Sequence, residues 1–329
     1  MHREGPARTP HVGIVILAYN GREDTLRCLE SVDEVDWSEL TTIVVDNGSN
    51  DGVLDAVRER FPHVQVIRSE RNLGFAGGNN IGLRAAHDAG ADYFLVLNND
   101  TVVHTDAVRE LVAEAERRPD AGALCPLIYY MDPPDRIWYA GARFDPRKAH
   151  NGRHTGYRER DDGQYDGVRE TGRATGAAIM VPRATIDSVG YLDERLFLTV
   201  EDVEWSLRIR EAGYRILVVP SARVWHTVSV AAGGEHSPAI AYYAVRNTLA
   251  VSNWHAPLTG IASLARDLTI CLVALVHVRR APRPLRNIRA VLEGWRDYRA
   301  GRLGERGAGE TAVPERQPAL AAQGTADAA

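Results

Sequence analysis

Lysine is almost missing from this chain: Lys148 is the only one, and arginine supplies the rest of the 39 basic residues. That bias reads as base composition and carries no function. Cysteine is scarce as well. Cys28, Cys125 and Cys271 stand far apart and match no metal-ligand or redox spacing, so the simple reading is a reducing compartment. There is no basic excess. The net charge of −5 argues against a nucleic-acid binder, which would normally be positive. Residues 1–10 are polar and hold no apolar signal region, so the expectation is a cytoplasmic protein. A membrane span of about 20 uncharged apolar residues is missing too. Residues 257–278 come nearest, but Arg266 and Asp267 interrupt them ahead of the uncharged run 270–278. No internal repeat is found. What remains is 329 residues with 44% hydrophobic and 25% charged content, ordinary values that allow one large α/β domain with an appendage, or two modest domains.

After a loose leader at 1–10, short apolar runs alternate with helical patterns. Strands are predicted at 12–17, 41–46, 64–68 and 93–97. Helices are predicted at 22–32, around Leu54 and Val57, at 79–89, and through Val108, Leu111, Val112 and Ala115 behind Thr105 as a possible cap. This alternation builds βαβ units and a mostly parallel sheet. Residues 144–173 are polar and nearly free of aliphatics, and read as a long surface insertion or mobile loop, with a role as a lid a further guess. A strand at 177–181, a helix at 200–212 and a strand at 215–219 follow. From Pro238 the pattern is helical. The basic run Arg279, Arg280, Arg283, Arg286 and Arg289 leaves two readings open: a helix resting on an anionic membrane face, or a core-packed helix followed by a solvated basic one. Residues 304–329 lack periodicity and are expected to be disordered.

In such sheets ligands bind at the carboxyl ends of the strands, and the polar clusters stand there: Tyr19 and Asn20 after the first strand, Asp46 after the second, and Asn98, Asn99 and Asp100 after the fourth. A carboxylate at Asp100 suits a hard cation that bridges phosphate oxygens; an ordinary strand-end turn explains it equally simply. Asp46 is placed to accept hydrogen bonds from a pyrimidine or ribose, whereas Ser49 to Asp51 are explained by turn and cap chemistry. Residues 71–80 form a glycine-rich loop opening a helix, where backbone approaches phosphate closely. It is neither GxGxxG nor a P-loop. Asp202, in the first turn of a helix, is a candidate general base, although acidic residues there also suit the helix dipole. His226 is either a metal or phosphate contact or a structural histidine.

Taken in order, the runs 15–20 (VILAYN), 44–49 (VVDNGS), 72–80 (NLGFAGGNN), 97–100 (LNND), 175–177 (TGA) and 201–204 (EDVE), with Tyr243, Arg246 and Asn247, resemble the family-2 glycosyltransferases, especially the rhamnosyltransferase-like branch. The resemblance covers residues 11–255. It implies a GT-A type, Rossmann-like, mostly parallel sheet flanked by helices, with a nucleotide-binding half at about 11–126 and an acceptor half at about 127–255. A helical C-terminal extension at 256–303 would follow, with the tail at 304–329 last. By that likeness Ala18, Tyr19, Asn20, Asp46, Asn72, Gly77, Asn79, Asn98 and Asn99 contact the nucleotide sugar. Asp100 and His226 hold Mg²⁺ or Mn²⁺, and Asp202 is the catalytic base of a single inverting displacement. One departure stands out: Asn98 occupies the first acidic position of the family's Asp-x-Asp motif, which should weaken metal binding.

The implied donor is a dTDP- or UDP-linked sugar, with rhamnose leading. The implied acceptor is a glycan, a lipid-linked glycan or a small aglycone, reached in the cytoplasm, with peripheral contact at the inner membrane face as one option. Two other classes compete. A non-catalytic sugar-nucleotide-binding or scaffold subunit could use the same fold, though Asp46, Asp100 and Asp202 are all retained. A nucleotidyltransferase would need an early Gly-rich basic phosphate loop, and residues 17–22 offer none.

Overall fold

The computed structural model describes residues 8–228, 237–278 and 284–307. Arg279, Arg280 and Arg283 of the basic run, the tail from residue 308 and the first seven residues of the leader lie outside them.

The first half follows the predicted alternation: β1 (Val12–Ala18), α1 (Arg22–Asp33), β2 (Leu40–Asp46), α2 (Val53–Arg60), β3 (Gln65–Arg68), α3 (Gly74–Asp88) and β4 (Tyr93–Asn98). Strand β1 pairs in parallel with both β2 and β4, and β2 pairs in parallel with β3. Ile14, Val15 and Ile16 are fully buried, because a central parallel strand is covered on both faces. Helix α3 starts five residues earlier than the sequence pattern suggested. Its glycines are part of the helix, not a loop before it, because they let the helix lie against β1. A Cβ at Gly82 would stand 2.4 Å from a Val15 methyl, and one at Gly78 would stand 2.3 Å from a Leu17 methyl.

The chain continues through β5 (Thr101–Val103), α4 (Ala107–Arg117), β6 (Ala121–Tyr130), β7 (Ile137–Tyr139), β8 (Phe144–Asp145), β9 (His150–Asn151), β10 (Arg169–Glu170), β11 (Ala178–Pro182), α5 (Arg183–Val189), α6 (Glu201–Glu211) and β12 (Arg215–His226). Thr105 does not cap α4; its hydroxyl donates to the Glu34 carbonyl instead. The main path of the sheet runs β10-β12-β6-β11-β4-β1-β2-β3, with β5 on β12 and β7 on β6. Strand β6, unread in the sequence, lies parallel to β12, while β11 joins β4 antiparallel. The result is a mixed, mostly parallel sheet.

Residues 144–173 do not form a free surface loop. Arg169 and Glu170 pair with β12, Ala142 bridges Arg173, and the Tyr139 hydroxyl donates to the Arg173 carbonyl at 2.6 Å. The segment lacks aliphatics because backbone pairing and aromatic rings hold it down.

The C-terminal helices are α7 (Pro238–His255), α8 (Gly260–Val278) and α9 (Pro284–Arg299). Ser237 caps α7 by accepting from the Ile240 amide, with Pro238 at the first helical position. Gly294 of α9 sits so close to α7 that a Cβ there would meet the Tyr242 carbonyl oxygen at 2.5 Å. No described helix is long and apolar enough to cross a membrane.

Candidate active site

A cavity of about 730 Å³ opens where the strand ends meet α6 and α7; its lining includes Tyr19, Asn72, Asn98, Asn99, Asp100, Asp202 and His226. Ala18, Asn20, Asp46, Gly77 and Asn79 are not part of that lining. Ala18 is buried within β1. Asp46 is also buried; its carboxylate accepts from the Ser49 amide at 2.8 Å and stands 3.8 Å from the Arg68 guanidinium. Asn20 shares this turn, receiving the Asn50 amide. Gly77 packs against Leu73, and the Asn79 amide donates back to the Phe75 carbonyl within α3.

Asp100 and His226, 126 positions apart, meet because β5 pairs antiparallel with the end of β12 and sets Thr101 opposite His226. The His226 Nε2 is 3.0 Å from an Asp100 carboxylate oxygen and 3.3 Å from the Asn98 amide nitrogen, and the Trp138 ring meets the imidazole edge-on at 4.7 Å. In the tautomer with its proton on Nδ1, the Nε2 lone pair lies beside the Asp100 carboxylate, where one cation would be within reach of both. No three described His, Cys, Asp or Glu side chains converge on one point. One carboxylate and one imidazole nonetheless fit a hard divalent ion whose remaining positions go to substrate phosphates and water, a common arrangement for such ions. Asn98, at the departed motif position, touches the imidazole and adds no charge.

On the facing wall, Asp202 is the second residue of α6. Its Oδ2 accepts from the Gly176 amide at 3.0 Å and lies 4.0 Å from the buried Arg173 guanidinium. Glu201 beside it is buried. Loss of water, then the Asp202 charge, pushes the Glu201 carboxyl up to about 8. The turn leading into α6 holds Phe197, Thr199 and Val200 at φ of 60°, 62° and 72°, a costly region for such residues. Asn247 fastens it: one amide group donates to the carbonyls of Leu196, Leu198 and Thr199 at 2.6, 2.9 and 2.9 Å. Arg246, 1% exposed, reaches the Leu196 and Gly304 carbonyls and lies over the rings of Tyr242 and Tyr243. The Tyr243, Arg246 and Asn247 set thus shapes the wall, while Tyr243 also lines the cavity.

The sequence reading placed Asn47 only in the polar cluster after the second strand, and missed Trp138, His154 and Arg173 as cavity residues. Asn47 and Asn72 clasp each other at 2.9 Å and pin the turn that opens α3. Burial, then the Arg173 charge, drives the His154 imidazole down to about 3, so it stays neutral. Arg173 directly precedes the 175–177 run, a position that could have drawn notice; Trp138 and His154 carry no local signal.

This fold is of the GT-A type. Among solved structures, the fold matches GalNAc-T7 with UDP, GalNAc and Mn²⁺ at a TM-score of 0.58 and 19% identity, over 82% of this chain and 55% of that one. It also matches a mannosyltransferase of Pyrobaculum calidifontis with GDP-mannose and Mn²⁺ at 0.56 and 17%, over 90% and 76%. Among curated proteins, the N-acetylglucosaminyl-diphospho-decaprenol L-rhamnosyltransferase of Mycobacterium tuberculosis is 29% identical across 82% of this chain and 95% of its own length. A dTDP-rhamnosyl transferase of Shigella flexneri is 28% identical across 74% and 81%. The family model described as Glycosyl transferase family 2 matches residues 13–175. Residues 13–175 thus carry a family-2 glycosyltransferase domain, and the chain is similar to these rhamnosyltransferases.

Proposed function

We propose that this inverting glycosyltransferase moves a sugar, rhamnose first among the candidates, from a dTDP or UDP donor to a hydroxyl of a lipid-linked envelope glycan at the inner membrane face. The observation that carries this reading is that Asp202 and the Asp100–His226 pair line one cavity. The rhamnosyltransferase names of the relatives support the sugar, and the diphospho-decaprenol in one of those names supports the lipid carrier.

In this reading the strand ends within 11–126 bind the nucleotide and residues 127–255 receive the acceptor. Asp202 takes the acceptor's proton as the hydroxyl attacks, its geometry set by the Gly176 amide with the Arg173 guanidinium 4.0 Å away. Asn72, Asn98 and Asn99 orient the donor, with Tyr19 at the rim. Asp46 and Asn20, beneath the strand-end turn, shape the nucleoside end together with Ala18, and Gly77 and Asn79 support the turn opening α3. Asp100 and His226 would hold Mn²⁺ or Mg²⁺, which when bound neutralises the departing diphosphate. Trp138 and the neutral His154 wall off water beside His226.

The test is a thermal-shift panel of nucleoside diphosphates with and without Mn²⁺, run with a transfer assay on dTDP-rhamnose. Metal-dependent stabilisation by one diphosphate, absent in Asp100→Ala, is the expected result. A flat panel from folded protein would overturn the donor site.

A further inference from the structure

Nine large apolar side chains are exposed among the described residues, and eight of them belong to α8 and α9; Tyr19, at the cavity rim, is the ninth. On α8, Ile261, Leu264, Leu268, Leu272 and Val276 are between 50% and 87% exposed. Their spacings of three and four residues keep them on one side of the helix, a stripe about 22 Å long. The two charged residues within the stripe's span, Arg266 and Asp267, are buried at 5% and 1%. Arg266 is spent on the Ala256 and Ser252 carbonyls. The stripe is therefore aliphatic and free of charge along its length.

Helix α9 adds the second half of the pattern. At about 100° per residue, Leu285, Arg289, Leu292, Arg296 and Arg299 share one arc of about 80°. Leu285 and Leu292 are 80% and 53% exposed, and the three arginine side chains are 83%, 67% and 57% exposed. The neighbouring acids are turned inward, and each arginine has one within reach: Glu293 lies 2.9 Å from Arg289, Asp297 3.8 Å from Arg296, and Asp267 of α8 3.8 Å from Arg299. Glu293 pairs with Arg306, and Asp297 accepts from the Tyr242 hydroxyl and from Arg302, each at 2.7 Å. The outward arginines, though paired at their inner edges, still keep more than half of their side-chain surface in solvent beside leucine.

We infer that the exposed faces of α8 and α9 form a docking surface for an anionic lipid bilayer, with the α8 stripe set among the acyl chains and the α9 arginines on the headgroups. An exposed stripe of this length on a water-facing helix would be an aggregation liability. Aliphatic side chains bordered by arginine match a membrane interface, where guanidinium meets lipid phosphate. A two-fold copy of the chain would bring the same arginine row with no acidic row to meet it. With no described helix able to span a bilayer, the surface lies on the membrane. The purpose of this docking, though not its geometry, rests on the proposal of a lipid-linked acceptor.

The test is sedimentation of the full chain with vesicles of phosphatidylcholine alone or mixed with phosphatidylglycerol. The diphosphate thermal shift is measured on the same samples as the check on folding. Binding is expected only to the mixed vesicles and should weaken as salt rises. Leu268→Gln with Leu272→Gln should cut vesicle affinity about a hundredfold, and Arg289→Gln with Arg296→Gln about tenfold or more, both with the thermal shift intact. Wild-type protein that binds neither vesicle overturns the inference. So does a self-association that the leucine substitutions abolish in the absence of vesicle binding, or equal binding to both vesicle types. Vesicle binding without any diphosphate shift would support the docking surface while sinking the donor site.

Discussion

The two walls of the cavity are built in opposite ways. The wall of Asn98, Asn99 and Asp100 stands at the end of β4, a relaxed strand paired on both edges beside β1, on which the glycines of α3 pack. The wall of Asp202 hangs from a turn with three side-chain-bearing residues at positive φ, held by an asparagine 45 positions beyond Asp202. Strand pairing places the first wall locally and keeps its cost low. The second is over-determined from a distance, as strained functional backbone requires. The difference teaches that two walls of one site can be positioned by unlike physics.

Four substitutions break or sharpen this contrast. Asp202→Asn should have the largest effect, because the amide can still accept from Gly176 but cannot take a proton: kcat in a transfer assay should fall about a thousandfold with diphosphate affinity unchanged. Equal loss of donor binding would show that Asp202 shapes the donor wall instead. Asn247→Ala leaves three carbonyls without their donor and should lower stability in denaturant unfolding by about 3 kcal/mol. At temperatures where the variant stays folded, kcat should fall while the diphosphate shift persists. An unchanged kcat would mean that the turn holds its shape unaided.

On the relaxed wall, Gly82→Ala forces a methyl against Val15 and should cost about 2 kcal/mol in the same unfolding experiment, with turnover per folded molecule unchanged. The smallest effect concerns pH. Glu201 binds its proton more tightly folded than unfolded, with the folded value at about 8. Its contribution is therefore complete below the ordinary carboxylate range and is lost as pH rises towards 8. Glu201→Gln should flatten the fall in melting temperature between about pH 5 and pH 8. A variant whose melting curve keeps the wild-type slope would assign that fall to other groups.

Much of the relaxed wall was legible in the residues. The apolar runs ending at Asp46 and Asn98 marked parallel strands, and ligands at their carboxyl ends follow from the topology of such sheets. The early glycines were read as a loop because glycine usually breaks helices; here close packing on β1 outweighs that propensity. Residues 144–173 were misread because a segment short of aliphatics can still be fastened by backbone pairing and rings such as those of Trp138 and Tyr139. That fastening is invisible to a search for periodic hydrophobics.

Alternation of short apolar strands with amphipathic helices determined by itself that this is an α/β fold built on a mostly parallel sheet, because period and burial are local properties of the chain. The ordered motifs determined the family in the same way. Only the tertiary structure decided that His226 meets Asp100, that Asn247 braces the Asp202 turn, and that α8 keeps its aliphatic face in the open. Each of these depends on contacts between residues far apart in the chain or on a surface left uncovered, and no local pattern encodes either.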